Sequence, residues 1–476
     1  MPLRLFPACA AALFFTVVAE AQTDPAPVTD AQRETADRLI DRALADDTAW
    51  EILESLTTEV GPRLAGSEAE ARARDWAAAK MRALGFKNVR IETFELPYWN
   101  RLRESAEIVA PFAQPLAVTA LGGSVATREG GLEGEIVRFE TLQDLIDAPM
   151  QGFEGKIVFV DEIMTRTQDG SGYGAAVAKR SGAAREAGRR GAAAALIRSV
   201  GTDSHRLPHT GAMRYAEGVR QIPIAALSNP DADQLARALR LADGPVTVRL
   251  DIGVETRERA VSGNVIGEIP GRTDEIIVIG GHLDSWDLGT GAVDDGAGVA
   301  ITMAAAKLIG DLPGKPQRTI RVVLWGAEEV GLVGARAYVE AHKDELDRHV
   351  LASESDFGAG RVWRFQSRFG ESALPKAAAI ARVLRRLGVG PGDNNAFGGP
   401  DVGPLRAAGV PVFTLAQDGW DYFDLHHTAD DTLDKVDREA LKQNVAAWAA
   451  TVYLASQMEG GFRDPAPDGA AAGAGR

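Results

Sequence analysis

Apolar positions follow two rhythms along the chain. From Thr29 to about Leu84 they recur every three to four residues, the spacing of helices that bury one face. The rhythm breaks at Val60-Gly61-Pro62-Arg63-Leu64-Ala65-Gly66-Ser67, where Gly and Pro predict a loop between two helices. Short β-rich runs follow at residues 89–94, 135–139 and 156–161, then an Ala/Arg helix over 175–191. Runs at 193–200, 222–227 and 246–252, with a helix over 231–241, complete a stretch that predicts a compact α/β module. After about Arg257 the alternation is cleaner. Near-continuous apolar runs predict strands at 275–281, 319–326, 349–354 and 410–416, and helical stretches lie over 297–309, 332–345 and 438–456. Strands apolar on both faces, alternating with helices, imply an α/β fold with a mostly parallel sheet covered on both sides. In such sheets ligands bind outside the carboxyl ends of the strands.

Composition narrows the picture without changing it. The 476 residues are 45 % hydrophobic and 25 % charged, which is globular in type. The net charge of −15, with no basic run or stripe, argues against nucleic acid as a partner. Residues 1–21 combine Arg4, an apolar run and Ala19-Glu20-Ala21, the pattern of a secretory signal peptide; a secreted or periplasmic location follows. That apolar run is shorter than the roughly 20 residues of a spanning helix, and no later run is long enough, so no stable membrane span is expected. Cys9, the only cysteine, lies within residues 1–21, so the mature chain would form no disulfide. From Gly460 onward the sequence is mostly Gly, Ala, Pro and Asp, which predicts an unstructured tail.

The chain holds only seven histidines, and two occur where the fold would put chemistry. His282 ends the run at 275–281, with Asp284 two residues on, placed to receive the spare ring N–H of a metal-bound histidine. Asp294-Asp295 precedes a helix, Glu328-Glu329 follows the strand at 319–326, and Asp356 follows the strand at 349–354. The polar loop after 410–416 carries His426 and His427. Four strand ends and one helix start thus send His, Asp, Glu, Asp and His toward one crevice. This nitrogen and oxygen donor set suits zinc. Asp294 is the natural bridge between two ions, and with Glu329 on a metal Glu328 is free to move a proton. Metal-assisted hydrolysis is the reaction implied.

These residues resemble the co-catalytic di-zinc exopeptidases, the family that includes bacterial aminopeptidases and carboxypeptidase Q, with the greater likeness to the carboxypeptidase Q branch. The resemblance implies two Zn2+ per chain, one held by His282, Asp294 and Asp356 and the other by Asp294, Glu329 and His427. It also implies Glu328 as general base and Asp284 as the residue orienting His282. His427 is preferred to His426 because His-Thr-x-x-Asp-Thr, running from His427 to Thr432, matches the family. Segments such as Pro97-Tyr98-Trp99-Asn100-Arg101 and Pro208-His209-Thr210-Gly211 are also similar. Gly399-Pro400-Asp401-Val402 departs from the Ser-Asp-His of many relatives, which puts a substrate-binding role for Asp401 in doubt. The implied division is a signal peptide (1–21), a first peptidase part (29–110), a protease-associated insert (111–255), a second peptidase part with the metals (256–458) and a tail (459–476). The implied activity is hydrolysis of short peptides, with dipeptides favoured and broader aminopeptidase action as the alternative; a homodimer is implied as well. A receptor-like protein on this fold would have lost ligands, and none is missing here. A cyclising acyl transferase on the fold uses one zinc, and the insert and chain length argue against it.

Among the remaining residues, His209 reads as a structural loop histidine. His205, His342 and His349 read as solvated or structural. The helix from Arg180 to Arg190, with Arg185, Arg189 and Arg190, reads as a solvated face. Trp420 and Tyr422 are candidates to line the pocket.

Overall fold

The computed structural model describes residues 27–464. The expected signal peptide and Cys9 lie outside the described residues, as do residues 465–476 of the expected tail. At the centre, strands His349–Glu354, Ile276–His282 and Thr319–Trp325 lie side by side and parallel. Val412–Gln417 joins parallel to His349–Glu354, and the far end of Thr247–Ile269 pairs antiparallel to Thr319–Trp325. The expected mixed, mostly parallel α/β sheet is therefore present. Ile276–His282 is buried at every residue, as a strand covered on both faces must be. Helix Ala297–Gly310 is apolar nearly all round, with twelve of its residues buried, because it lies between the sheet and helix Arg438–Gln457. Gly281 is required where the two meet, since a Cβ there would lie 2.4 Å from Asp295 Oδ2 and 2.8 Å from the Gly298 backbone.

A second run of strands continues from the other half of Thr247–Ile269. Leu132–Phe139, Ile157–Val160, Ala194–Arg198 and Ile224–Leu227 are parallel neighbours, and Val118–Ala120 closes the edge antiparallel. One face of this smaller sheet packs its own apolar cluster, around Phe159, Leu196, Leu227 and Leu235, while Val158, Val160 and Ile197 on the other face belong to the main core. The parallel arrangement places polar residues of both sheets at one mouth.

Three expectations needed correction. The strand foreseen at 89–94 runs from Lys87 to Ala110, 24 residues, paired antiparallel with Thr247–Ile269 through several bulges. It is a largely half-exposed ribbon, so charged residues such as Arg101, Arg103 and Glu104 hide its apolar alternation. Strand Val362–Arg368 and helix Leu374–Leu384 were not foreseen at all; the strand is antiparallel to Val412–Gln417 and mixes polar and apolar residues. The start of the supposed tail is ordered: Phe462 is fully buried, and Arg318 Nη2 donates to the Gly460 carbonyl at 2.7 Å. A single aromatic residue in a Gly/Ala-rich context was enough to dock it. Among the described residues no helix is long and apolar enough to cross a membrane.

Candidate metal centre

His282 ends its strand with its ring buried. Its Nε2 lies 2.9 Å from Asp294 Oδ1 and 3.6 Å from Asp356 Oδ1. On the other side of Asp294, Oδ2 lies 3.3 Å from His427 Nε2, which in turn is 3.0 Å from Glu329 Oε2. The sequence-derived set is thus brought together as two facing groups of donors that share one carboxylate. Donors bound tetrahedrally at about 2.0–2.1 Å would sit about 3.3 Å apart, the spacing seen on both sides. Asp294 Oδ2 and Glu329 Oε1 are buried without a hydrogen-bond partner. Orphaned buried carboxylate oxygens call for a partner, and a dication supplies one. The residues present fit a pair of cations.

Local structure aims these side chains. Ala327 (φ 58°) and His427 (φ 62°) both hold left-handed backbone, uncommon for residues with a Cβ. The first turns the chain after Trp325 so that Glu328 and Glu329 face the crevice together. Asp431 Oδ1 and Oδ2 accept from the backbone N–H groups of Val293 and Asp294 at 2.6 and 3.2 Å, which pins the bridging residue. Arg63, fully buried, donates to the carbonyls of Leu283, Thr290 and Gly291 and so ties the His282 loop to the Asp294 loop. Sequence reasoning assigned no role to Arg63 or Asp431, although both lie in the quoted motifs.

Asp284 differs from expectation. Its backbone carbonyl, 2.9 Å away, meets His282 Nδ1, while its carboxylate is 3.9 Å from that atom. The carboxylate instead accepts the backbone N–H groups of Glu328 and Glu329 at 3.0 and 3.3 Å. It therefore positions the Glu328–Glu329 turn, and the main chain meets the histidine ring. Asp295, next to the bridge, uses Oδ2 on the His282 N–H and Oδ1 on the Gly298 N–H, so it serves the helix start.

His426 was set aside in favour of His427, yet it stacks on that ring at 3.5 Å and places Nε2 3.6 Å from Asp294 Oδ2, with Nδ1 buried and unpartnered. The adjacent His-His pair was the only sequence signal for it. Burial, augmented by the neighbouring His427, holds its imidazolium form well below the usual histidine range. Glu328 is pushed in the opposite direction: burial first, with Asp356, Asp401 and Glu329 adding to it, raises its carboxyl well above the ordinary range. A carboxyl so raised is suited to holding and releasing a proton.

The crevice is a cavity of about 780 Å³ lined by Asp294, Glu328, Glu329, Asp356, His426 and His427, with Tyr422 and Phe423 in its apolar wall. Trp420 is 54 % exposed and does not line it. Asp401 is fully buried behind Glu354, whose Oε2 accepts the Asp401 N–H at 2.7 Å. His209 is structural as expected: it reaches the His426 carbonyl at 2.7 Å through Nδ1 and Asp203 at 3.2 Å through Nε2, linking the smaller sheet to the histidine loop. His205 is exposed, and His342 and His349 belong to a separate polar network.

The helix read as a solvated face is corrected in part. Arg185 and Arg189 are half exposed on Glu186. Arg190 is buried and donates to the carbonyls of Ile146 and Ala148. Arg180 is buried in the cavity wall, donates through Nη1 to Tyr173 Oη at 2.9 Å, and has Nη2 3.3 Å from His427 Nδ1. Periodicity could not reveal this, because Arg190 is covered by carbonyls some forty residues back in the chain and Arg180 by the histidine loop far ahead of it.

Comparison with known proteins agrees with this geometry. The chain is similar to carboxypeptidase Q of Mus musculus, 33 % identical over 413 residues that cover 86 % of each chain. It is 50 % identical to the crystal structure of a peptidase M28 precursor from Shewanella amazonensis SB2B, with a TM-score of 0.90 over 92 % of this chain and 99 % of that one. A zinc aminopeptidase from Bacillus subtilis, 21 % identical with a TM-score of 0.63 over 87 % of this chain and 96 % of that one, shares the fold. The family profile for peptidase family M28 matches residues 264–452, the stretch that contributes His282, Asp294, Glu328, Glu329, Asp356 and His427. The chain belongs to peptidase family M28.

Proposed function

We propose that this chain is an exported di-zinc exopeptidase that hydrolyses short peptides, dipeptides among them, in the manner suggested by its likeness to carboxypeptidase Q. The observation that carries the reading is Asp294, one carboxylate whose two oxygens face two separate donor groups. His282, Asp294 and Asp356 would hold one ion, and Asp294, Glu329 and His427 the other. Bound there, the ions would supply Lewis acidity toward a substrate carbonyl and lower the pKa of water. The rest belongs to the protein. Glu328, buried at the cavity wall, takes a proton from the attacking water on a carboxylate oxygen and passes it to the departing amine. Asp284 keeps the Glu328–Glu329 turn in place. Phe423 and Tyr422 exclude water from one wall.

The smaller sheet is read as a protease-associated insert spanning about 111–255, as the family resemblance implies, and its loop at His209 and Thr210 meets the histidine loop. Thr210 N–H donates to the His427 carbonyl at 3.0 Å. Residues 1–21 are read as a signal peptide removed on export, and a homodimer is expected from the resemblance. Purified mature protein should bind two zinc ions per chain by elemental analysis. Stripping them with a chelator should abolish hydrolysis of a simple dipeptide, and zinc should restore it. Binding of one ion at saturation, or full activity after stripping, would exclude the mechanism.

A further inference from the structure

The two metal-facing histidines are supported in different ways. His282 turns Nδ1 to the Asp284 carbonyl at 2.9 Å, two residues along its own loop. His427 turns Nδ1 to the Thr210 carbonyl at 3.2 Å, 217 residues away, on the loop between strands Ala194–Arg198 and Ile224–Leu227 of the smaller sheet. A histidine that binds a cation through Nε2 keeps its proton on Nδ1, and the acceptor of that proton fixes the plane of the ring. Arg180 Nη2 also lies 3.3 Å from Nδ1, but a guanidinium only donates. Of these two neighbours, the Thr210 carbonyl alone can receive the proton. One ion of the expected pair is thus supported by a loop of the central sheet and the other from outside that sheet.

The loop that carries Thr210 is itself anchored. His209 and Thr210 are both fully buried. On its own side, Ser199 Oγ accepts the His209 N–H at 2.9 Å, and Thr210 Oγ donates to the Ala120 carbonyl at 3.0 Å. Toward the histidine loop, His209 Nδ1 meets the His426 carbonyl at 2.7 Å, beside the bond from Thr210 N–H to the His427 carbonyl. The far end of the imidazole is held as well: Asp203 Oδ2 lies 3.2 Å from Nε2, and Asn229 Nδ2 donates to Asp203 Oδ1 at 3.0 Å. Gly201 leaves room for the ring, since a Cβ there would sit 2.2 Å from His209 Nε2. Such support is needed because the left-handed backbone of His427, φ 62°, persists only where its surroundings impose it.

We infer that His209 is a positioning residue for one half of the metal pair. By clamping the His426 carbonyl it holds the Thr210 carbonyl on the His427 ring, so the affinity of the Asp294, Glu329 and His427 group for its ion is set from the smaller sheet. The His282, Asp294 and Asp356 group does not depend on that contact. This rests on the two-ion reading above and adds to it that the two ions are held unequally, and that a residue outside the stretch matched by the family profile makes the difference. Loosening the smaller sheet from the histidine loop then releases one ion before the other.

The test measures zinc binding by competition with a coloured chelator, on the purified protein with no substrate present. H209F, which keeps the bulk of the ring and neither nitrogen, is placed in two backgrounds. D356N cripples the first group of donors and E329Q the second, so each leaves one group to be read alone. In D356N, H209F should weaken zinc binding about 10- to 100-fold, the usual worth of the outer partner of a ligating histidine. In E329Q it should leave the affinity unchanged. H209Q, whose amide still reaches toward the His426 carbonyl, should fall between in D356N. Melting temperatures of the zinc-free variants show whether each folds. If H209F does not, D203N, which frees only the far end of the imidazole, carries the same comparison with a smaller fall. Equal weakening in the two backgrounds would make His209 a general structural residue, and unchanged affinity in D356N would show that the clamp does not reach the metal; either overturns the inference. A wild type that binds only one zinc at saturation would count instead against the two-ion reading on which it rests.

Discussion

Two buried clusters of charged side chains occupy opposite ends of the central strands, and they are built differently. Near the amino ends, Arg321 binds Glu268 at 2.8 Å, Glu345 at 2.7 Å and Tyr338 Oη at 2.8 Å. Tyr338 Oη is 2.8 Å from His349 Nε2, and His342 joins Glu345 to Glu92. None of these side chains leaves a buried polar atom without a partner. At the carboxyl ends, carboxylates outnumber cations, and Asp294, Glu329, Glu354, Asp401 and His426 all keep buried atoms unpaired. Both clusters are buried, so burial does not distinguish them. A network whose partners are all present holds the fold together, whereas a group of acidic side chains with orphaned atoms beside a cavity leaves room for a further partner.

That contrast predicts opposite phenotypes. The largest effect is expected at the unsatisfied end: Glu328→Gln should lower dipeptide hydrolysis by about 10²–10⁴ in kcat while leaving the melting temperature unchanged. At the satisfied end, Arg321→Met takes the shared cation from Glu268, Glu345 and Tyr338, leaving Glu268 to Asn88 and Glu345 to His342 and Arg348, and should cost about 3 kcal/mol in urea unfolding. Hydrolysis per folded molecule should be retained; loss of activity at unchanged stability would erase the distinction.

A smaller effect is linked to pH. Burial, with Arg321 and His342 nearby, depresses His349 from its ordinary 6.5 to about 4. Its neutral form is the folded one, with Nε2 facing Tyr338 Oη and Nδ1 2.9 Å from the Glu345 carbonyl. The unfolded chain binds the proton more readily, so this stability is fully present above about 6.5 and is lost as pH falls toward about 4. The full loss is about 3 kcal/mol. Urea midpoints at pH 7, 5 and 4 should show His349→Gln declining less than wild type by that amount; parallel curves would refute the linkage. The smallest effect concerns Asp284→Asn, which replaces an acceptor of two N–H groups with an amide that satisfies at most one through its oxygen. Hydrolysis or zinc affinity should fall about 10- to 100-fold with little change in unfolding. This would place Asp284 between the two clusters in character: fully satisfied itself, yet supporting the unsatisfied end.

How much was legible in the sequence follows from what each feature depends on. The strands at 276–282 and 319–325, and the helices that follow them, were readable because a covered parallel strand must be apolar throughout. The residues just beyond those strands were readable as candidate chemistry because several strand ends carry His, Asp or Glu at once, where any one of them alone could be a polar boundary. The ribbon from Lys87 was read short because its half-exposed strands carry charge on the solvent side and bend at bulges. Phe462 was missed because its docking depends on Arg318 and Phe369, which lie far away in sequence.

By itself, then, the sequence determined the α/β character, the strand order of the chemistry and the donor set that meets at Asp294. Only the tertiary structure decided that the Asp284 carboxylate serves the Glu328–Glu329 backbone, that His426 faces Asp294, and that Arg180 belongs to the cavity wall. The physical reason is range. Periodicity and strand-end polarity are written within ten residues of chain, whereas these contacts join segments dozens to hundreds of residues apart. Their partners are chosen by packing, which no local pattern records.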